Sequence, residues 1–329
     1  MTRVLLLGLG RWGVNHLRNL NSIPVELYVA EADDKRLEPA RKLGLPEDRL
    51  TTNYKSFVGN VNCAVVVTPA QTHFALCREF IEGGLDVFVE KPITLVSTEA
   101  RQLAELAEQH KRILQVGHIF RFDPASLWLR DAIQEGRFGR VQILRSNFSG
   151  FKRPRNDSGV MFADAIHFVD LFNYFMGKTP TRVFAVTQDF MGRGMEDASL
   201  LSLDYNTDRG TSWATVETNY FLPGKFREVI VIGSELSAVC DYNVAQYKIK
   251  TFANRHVREG NDFKAVDGAL HQVESPPEEP LQAELRAFLN SVQTRQPPRA
   301  DGWSGYDSVR VLEAAAESAT TGRTIELGA

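Results

Sequence analysis

The residues best suited to chemistry in this chain are Lys91, within Glu90-Lys91-Pro92, and His167, within Asp164-Ala165-Ile166-His167. A lysine ammonium can hydrogen-bond a reacting hydroxyl and hold charge that develops on its oxygen. An imidazole titrates near neutrality and can take the proton of an alcohol when a carboxylate orients it. Asp164 and His167 are three apart, as are His167 and Asp170, so on a helix each pair shares a face. Each motif also has a plain structural reading when taken alone: Glu90-Lys91 as a surface ion pair, and His167 as a hydrogen-bonded core histidine.

A third stretch, Gly8-Leu9-Gly10-Arg11-Trp12-Gly13, follows an apolar run and opens an amphipathic one. In that setting the first glycine permits a tight turn and the second lets the backbone approach a pyrophosphate. The third lets the helix sit close to the strand, and the helix N-terminus offers free N–H groups to the phosphates. Glu31 ends the next apolar run, close to the roughly 20 residues downstream at which a carboxylate binds ribose hydroxyls. A dinucleotide site is therefore expected on Gly8, Gly10, Arg11, Trp12, Gly13 and Glu31. Because Glu31 would oppose a ribose 2′-phosphate, NAD is expected, with NADP left open by the nearby Lys35 and Arg36. Thr68 and Pro69, with His73 just beyond, and Glu90 with Lys91 end two further apolar runs. Ligands bind at such strand ends, so these five join the cofactor set.

The elements that must position these residues follow from hydrophobic patterning. The runs 4–9, 25–30, 63–68, 86–90 and 113–117 are apolar without strict alternation, as in strands covered on both faces. Helices are expected near 12–21, 71–83 and 97–109, with Ser97 capping the last. This alternation predicts an α/β domain, a doubly wound parallel sheet, over residues 1–121. Residues 122–329 read as an α+β domain for substrate and self-association. Its strands fall near 140–149, 181–188, 199–205, 211–219, 226–232 and 236–242, with a helix near 159–176 and two closing helices near 281–293 and 306–321. The last helix has the option of packing back on the first domain. Several of these strands alternate polar and apolar residues, predicting a large, mainly antiparallel sheet with one open face. Through that face a homodimer or homotetramer is expected.

Composition bounds the partners. Lys+Arg 38 against Asp+Glu 41 gives a net charge of −3, which argues against a nucleic-acid surface. Three cysteines form no CxxC pair, which argues against a disulfide framework or a bound metal and fits a reducing cytoplasm. No apolar run approaches the roughly 18 to 20 residues needed to cross a bilayer, so no membrane partner is expected.

These motifs occur in the order found in the glucose-fructose oxidoreductase, inositol dehydrogenase and rhizopine catabolism family (Gfo/Idh/MocA), which the chain resembles over essentially its whole length. The resemblance rests on the glycine turn, Thr68-Pro69, Glu90-Lys91-Pro92, Val116-Gly117-His118, the Asp164/His167 helix, and Glu317-Ser318 before Thr321-Gly322-Arg323. It implies an NAD(P)-dependent Rossmann-fold dehydrogenase in which Lys91 and His167 face the nicotinamide and the substrate carbon. Arg11-Trp12-Gly13-Val14-Asn15 and Gly117-His118-Ile119-Phe120-Arg121-Phe122-Asp123-Pro124 are similar to members that oxidise nucleotide sugars at the 3-hydroxyl. That likeness implies substrate contacts at His118, Arg121, Arg155, Asn156, Asp164 and His167, and directs attention to the basic run from Lys152 to Asn156. Arginines there can bind a diphosphate bidentately. Members usually carry an aspartate four residues before the histidine. Ala163 holds that place here, and Asp164 follows it, turned by about 100° on a regular helix. Two rival readings share the fold: a keto-sugar reductase using NADPH or NADH, and a non-catalytic NAD(P)-binding sensor.

Overall fold

Val4, Leu5, Leu6, Val65, Val66, Val87 and Val89 are all fully buried, so the strands that carry them must be covered on both faces. They belong to a six-stranded sheet, β1 (Arg3–Leu7), β2 (Glu26–Ala30), β3 (Leu50–Thr51), β4 (Cys63–Val66), β5 (Asp86–Val89) and β6 (Leu114–Val116). The strands run in the order β3-β2-β1-β4-β5-β6 and every pairing is parallel. Helices α1 (Gly13–Asn21), α2 (Glu38–Lys42), α3 (His73–Glu82) and α4 (Ser97–Gln109) connect them. In this doubly wound order the topology reverses between β1 and β4, and the crevice at their carboxyl ends is the ligand site. The computed structural model describes residues 1–155, 158–208 and 210–328. They divide into one unit of residues 1–122 and 279–309, and another of 123–278 and 310–329.

The return of residues 279–309 to the first unit has a packing cause. The helix Pro280–Thr294 presents Leu281, Leu285, Phe288 and Leu289 to a cluster containing Val4, Leu6, Leu17, Leu20 and Phe88. Each such side chain, once buried, contributes about 1.5–3 kcal/mol. The helix ends at Arg295, whose guanidinium holds the Asp86 carboxylate at 2.6 and 2.7 Å.

In the second unit, α5 (Pro124–Gln134) precedes β7 (Val141–Asn147), and a π turn (Met161–Ala165) runs into α6 (Ile166–Met176). Ten further strands follow, β8 (Arg182–Gln188), β9 (Ala198–Thr207), β10 (Gly210–Asn219), β11 (Glu228–Gly233), β12 (Ser237–Asp241), β13 (Ile249–Phe252), β14 (Arg255–Glu259), β15 (Asp262–Val266), β16 (Leu270–Val273) and β17 (Ile325–Glu326). Nine strands make one sheet, β16-β13-β12-β11-β7-β10-β9-β8-β17, antiparallel except at β7/β10. Phe168, Phe172 and Phe175 of α6 and Leu144, Leu201 and Leu203 of the sheet are fully buried. Phe184, Val186, Leu200 and Trp213, from the same strands, remain exposed. The expected classes are thus present: a parallel Rossmann sheet and a large, mostly antiparallel sheet.

Two local expectations are corrected. Ser97 is the first helical residue of α4 rather than its cap; Val96 holds the cap position and supplies no side-chain bond. The helix expected over 159–176 is a π turn followed by an α-helix. The strands at 249–273 are an addition to the expected set: β14 and β15 are exposed and show no alternation, and β13 is only four residues long.

Candidate active site

The glycine turn has the geometry that its sequence pattern demands. Gly8 has φ +98°, and a Cβ there would lie 2.8 Å from the Val67 carbonyl oxygen. At Gly13 a Cβ would overlap the Gly8 carbonyl, whereas at Gly10 it would meet nothing within 4 Å. Two glycines therefore serve close packing, and the middle one leaves open space where a pyrophosphate can approach backbone N–H groups. Arg11 and Trp12 are exposed at this turn. Glu31, buried at the end of β2, accepts from the Leu9 N–H at 2.7 Å and the Asp33 N–H at 3.2 Å. Its carboxylate is thereby fixed beside the turn with lone pairs to spare for a ribose diol. Lys35 and Arg36 are exposed, and the Arg36 guanidinium lies 3.7 Å from Asp33. These residues fit an NAD dinucleotide, with Gly8, Gly10 and Gly13 admitting its phosphates and Glu31 its ribose.

The ends of β4 and β5 are tied together by His73. Its ring nitrogens lie 2.9 Å from the Thr68 carbonyl and 2.9 Å from the Pro92 carbonyl. A neutral imidazole donates to only one at a time, and burial lowers its pKa despite both carbonyls. His73, assigned from sequence to the cofactor, is thus a buried strut between two strand ends. Thr68 and Thr72 join hydroxyls at 2.6 Å, and Pro69 leads into α3.

Glu90 organises the rest of this half. One carboxylate oxygen accepts from Trp12 Nε1 at 2.8 Å and contacts His16 Nε2 at 2.7 Å; the other accepts the Lys91 backbone N–H at 3.1 Å. Gly117 lies so close that a Cβ there would sit 3.0 Å from the carboxyl carbon. Burial alone would raise the Glu90 pKa, but His16, the Lys91 charge and Trp12 outweigh it and hold the carboxyl below its ordinary value. Lys91 emerges half-buried from this anchored peptide. His16, one turn after Trp12 on α1, escaped the sequence reading, although the four-residue spacing was the available signal. His118 is buried after β6, and buried Arg121 donates to the Arg299 carbonyl at 2.7 Å, a packing contact of the first unit.

The second unit carries the other candidates. His167 is half-buried at the start of α6, its ring 5.4 Å from that of Phe148. Asp164 is buried in the π turn and accepts from Lys152 Nζ at 2.7 Å. A π turn takes more residues per turn than an α-helix, so it does not absorb the one-place shift from Ala163 to Asp164, and Asp164 still lies off the position that Ala163 holds. Lys152 also lies 4.9 Å from the Phe148 ring centre and 5.4 Å from that of Tyr220. Desolvation lowers the Lys152 pKa, opposed by Asp164 and reinforced by Arg227 and Arg155. Arg155 is exposed; Asn156 lies outside the described residues. Phe148, Tyr220, Arg193 and Arg227 are further members of this cluster that the sequence reading missed. They come from separate strands and loops and form no motif.

Known proteins share the sequence pattern and the fold of this chain. Residues 2–118 match the family model described as an oxidoreductase family, NAD-binding Rossmann fold, and residues 130–327 match its C-terminal alpha/beta domain. The UDP-N-acetylglucosamine 3-dehydrogenase of Acidithiobacillus ferrooxidans is 26% identical over 317 residues, covering 94% of each chain. Its solved structure superposes with a TM-score of 0.85 over 97% of both chains at 23% identity. The myo-inositol 2-dehydrogenase of Thermotoga maritima is 25% identical, over 99% of this chain and 98% of its own. A gentamicin A biosynthesis protein solved in complex with NAD has a TM-score of 0.82 at 24% identity, covering 100% of this chain and 97% of that one.

Proposed function

The chain belongs to the Gfo/Idh/MocA oxidoreductases, with an NAD-binding Rossmann domain, and from that premise we propose that it oxidises a secondary hydroxyl of a sugar or nucleotide sugar, such as the 3-hydroxyl of a UDP-sugar. The observation that carries the proposal is Glu90. A single buried carboxylate gathers the exposed tryptophan of the glycine turn and the peptide N–H of Lys91, so the lysine is fixed at the strand end next to the cofactor turn.

In this reading Lys91 Nζ hydrogen-bonds the reacting hydroxyl and stabilises the charge that grows on its oxygen. His167 takes the hydroxyl proton, and Phe148 holds its ring. Bound NAD supplies the hydride acceptor. Asp164, already engaged by Lys152, orients the region around the histidine. His118, Arg121, Arg155 and Asn156 are assigned to the substrate side. The apolar face bearing Phe184, Val186, Leu200 and Trp213 is assigned to a homodimer or homotetramer, and the compartment to the cytoplasm.

Replacing Lys91 or His167 by alanine is expected to lower kcat by about 10²–10⁴-fold, while NAD affinity, read by calorimetry, is retained. Near-normal turnover in both variants would remove the assignment. Absence of NAD reduction by the unaltered enzyme across neutral and nucleotide sugars would favour a sensor instead. Product formation only from keto-sugars with reduced cofactor would favour the reductase.

A further inference from the structure

We propose that the second unit binds a phosphoryl group of its substrate, as in the diphosphate of a nucleotide sugar, on Arg193, Arg227 and Lys152, three cations gathered around the rings of Phe148 and Tyr220 beside His167. The inference rests on the dehydrogenase reading above and names the substrate class that this reading leaves open.

The arrangement has more positive charge than its surroundings neutralise. Arg227 lies over Phe148, its guanidinium carbon 3.4 Å from the ring centre, and Arg193 lies 5.9 Å from the Tyr220 ring centre. Lys152 touches both rings. Among the described residues the carboxylate in ion-pair contact with these cations is Asp164, which holds Lys152 at 2.7 Å. Among the described residues neither guanidinium has a carboxylate partner. Arg227 donates to the backbone carbonyls of Ser149 and Phe226. Arg193 donates one N–H to the Arg155 carbonyl at 2.7 Å. Asp189, in the same loop, spends its oxygens on the backbone N–H groups of Arg193 and Gly194.

The decisive detail is on Arg193. Its Nε and Nη2 are buried and, among the described residues, have no hydrogen-bond partner. A guanidinium presents Nε and Nη2 as a planar fork, the edge that accepts two oxygens of one phosphoryl group or carboxylate. Buried donors are normally paired, so an empty fork beside two further half-buried cations marks an acceptor that arrives with the ligand. Desolvation strengthens the case: burial lowers the pKa of both Lys152 and Arg227, a cost that an incoming anion would offset. The aromatic rings hold the cations without neutralising them, as cation–π contacts do. Two guanidinium groups and an ammonium exceed what one carboxylate requires and suit the higher charge of a diphosphate. The site adjoins the proposed proton acceptor, because Phe148, which carries Arg227 and Lys152, also packs against His167.

The test is direct binding with NAD saturating, so that the glycine turn is already filled. Inorganic pyrophosphate and UDP are titrated by calorimetry into the unaltered protein and into Arg193→Gln and Arg193→Lys. Both probes are expected to bind the unaltered protein. Arg193→Gln is expected to weaken them about tenfold or more, the loss of charge-assisted hydrogen bonds, with Arg193→Lys intermediate. A retained NAD-induced rise in Tm shows that the variants are folded. Equal pyrophosphate and UDP affinity in Arg193→Gln overturns the site. So does Arg193-dependent binding of glucuronate without binding of either phosphoryl probe, which would make the ligand a carboxylate. Arg193-dependent UDP binding in a protein that oxidises no sugar would leave the anion site standing and remove the dehydrogenase reading. Oxidation of nucleotide sugars with KM unchanged by Arg193→Gln would do the reverse.

Discussion

The two units build their sites with opposite charge logic. In the first, the working groups are carboxylates, Glu31 and Glu90, and their donors are already in place on backbone and ring nitrogens. In the second, the working groups are cations, and among the described residues two of them form no ion pair with a carboxylate. A site whose polar groups are satisfied in advance is rigid and shaped for one invariant ligand, here the dinucleotide. A site left short of counter-charge is completed by what it binds, and so sets specificity.

The largest effect that would break this contrast is in the first unit. Glu90→Ala removes the acceptor shared by Trp12, His16 and the Lys91 peptide. Removing one partner of a buried charge network typically costs about 3–5 kcal/mol, so a clear drop in the urea midpoint is expected. If the variant unfolds at the same midpoint, the carboxylate is not the organiser described here.

A smaller effect sharpens the cofactor side. Glu31→Ser removes the carboxylate that faces the glycine turn and keeps a short acceptor for nearby N–H groups. The ratio of kcat/KM for NAD to that for NADP is expected to fall about tenfold, roughly 1.4 kcal/mol, because a like charge no longer opposes the 2′-phosphate. An unchanged ratio would move cofactor discrimination to Lys35 and Arg36.

The same contrast explains what could be read from the sequence. Gly8, Gly10, Gly13, Glu31 and Glu90-Lys91 are contiguous or regularly spaced because one βαβ succession fixes their positions, so local pattern was enough to find them. In the ladder from β1 to β6, the strands β1, β2, β4, β5 and β6 were legible as apolar runs, whereas β3, two half-buried residues, left no run to read. Arg193, Tyr220 and Arg227 are brought together by the pairing of β10 with β9 and β7 and of β7 with β11, a long-range register that no local pattern encodes. The basic run after Lys152 was visible, but what distinguishes Lys152 within it is burial against Phe148 and Tyr220. At His73 the place near a strand end suggested ligand contact, and the fold adds what no local pattern shows, a buried ring between the Thr68 and Pro92 carbonyls. The π turn was illegible because its sequence, Met161–Ala165, is as apolar as the helix it enters.

The finest distinction is a pH dependence. The Glu90 carboxyl is held below its ordinary value of about 4.5 in the folded chain, so the unfolded state binds the proton more readily. Its stabilisation is therefore complete above pH 4.5 and is lost as pH falls through the lower folded value. Glu90→Gln lacks this titration. The difference in Tm between the unaltered protein and Glu90→Gln is expected to be constant from pH 6 to pH 8 and to shrink in acid below about 4.5. The cations of the second unit gain nothing in that window, because Lys152 and Arg227 remain protonated throughout it. A Tm difference for Glu90→Gln that stays flat into acid, or one that widens there, would mean that the carboxyl is neutral in the folded chain. The first unit would then hold its site by neutral hydrogen bonds rather than by charge.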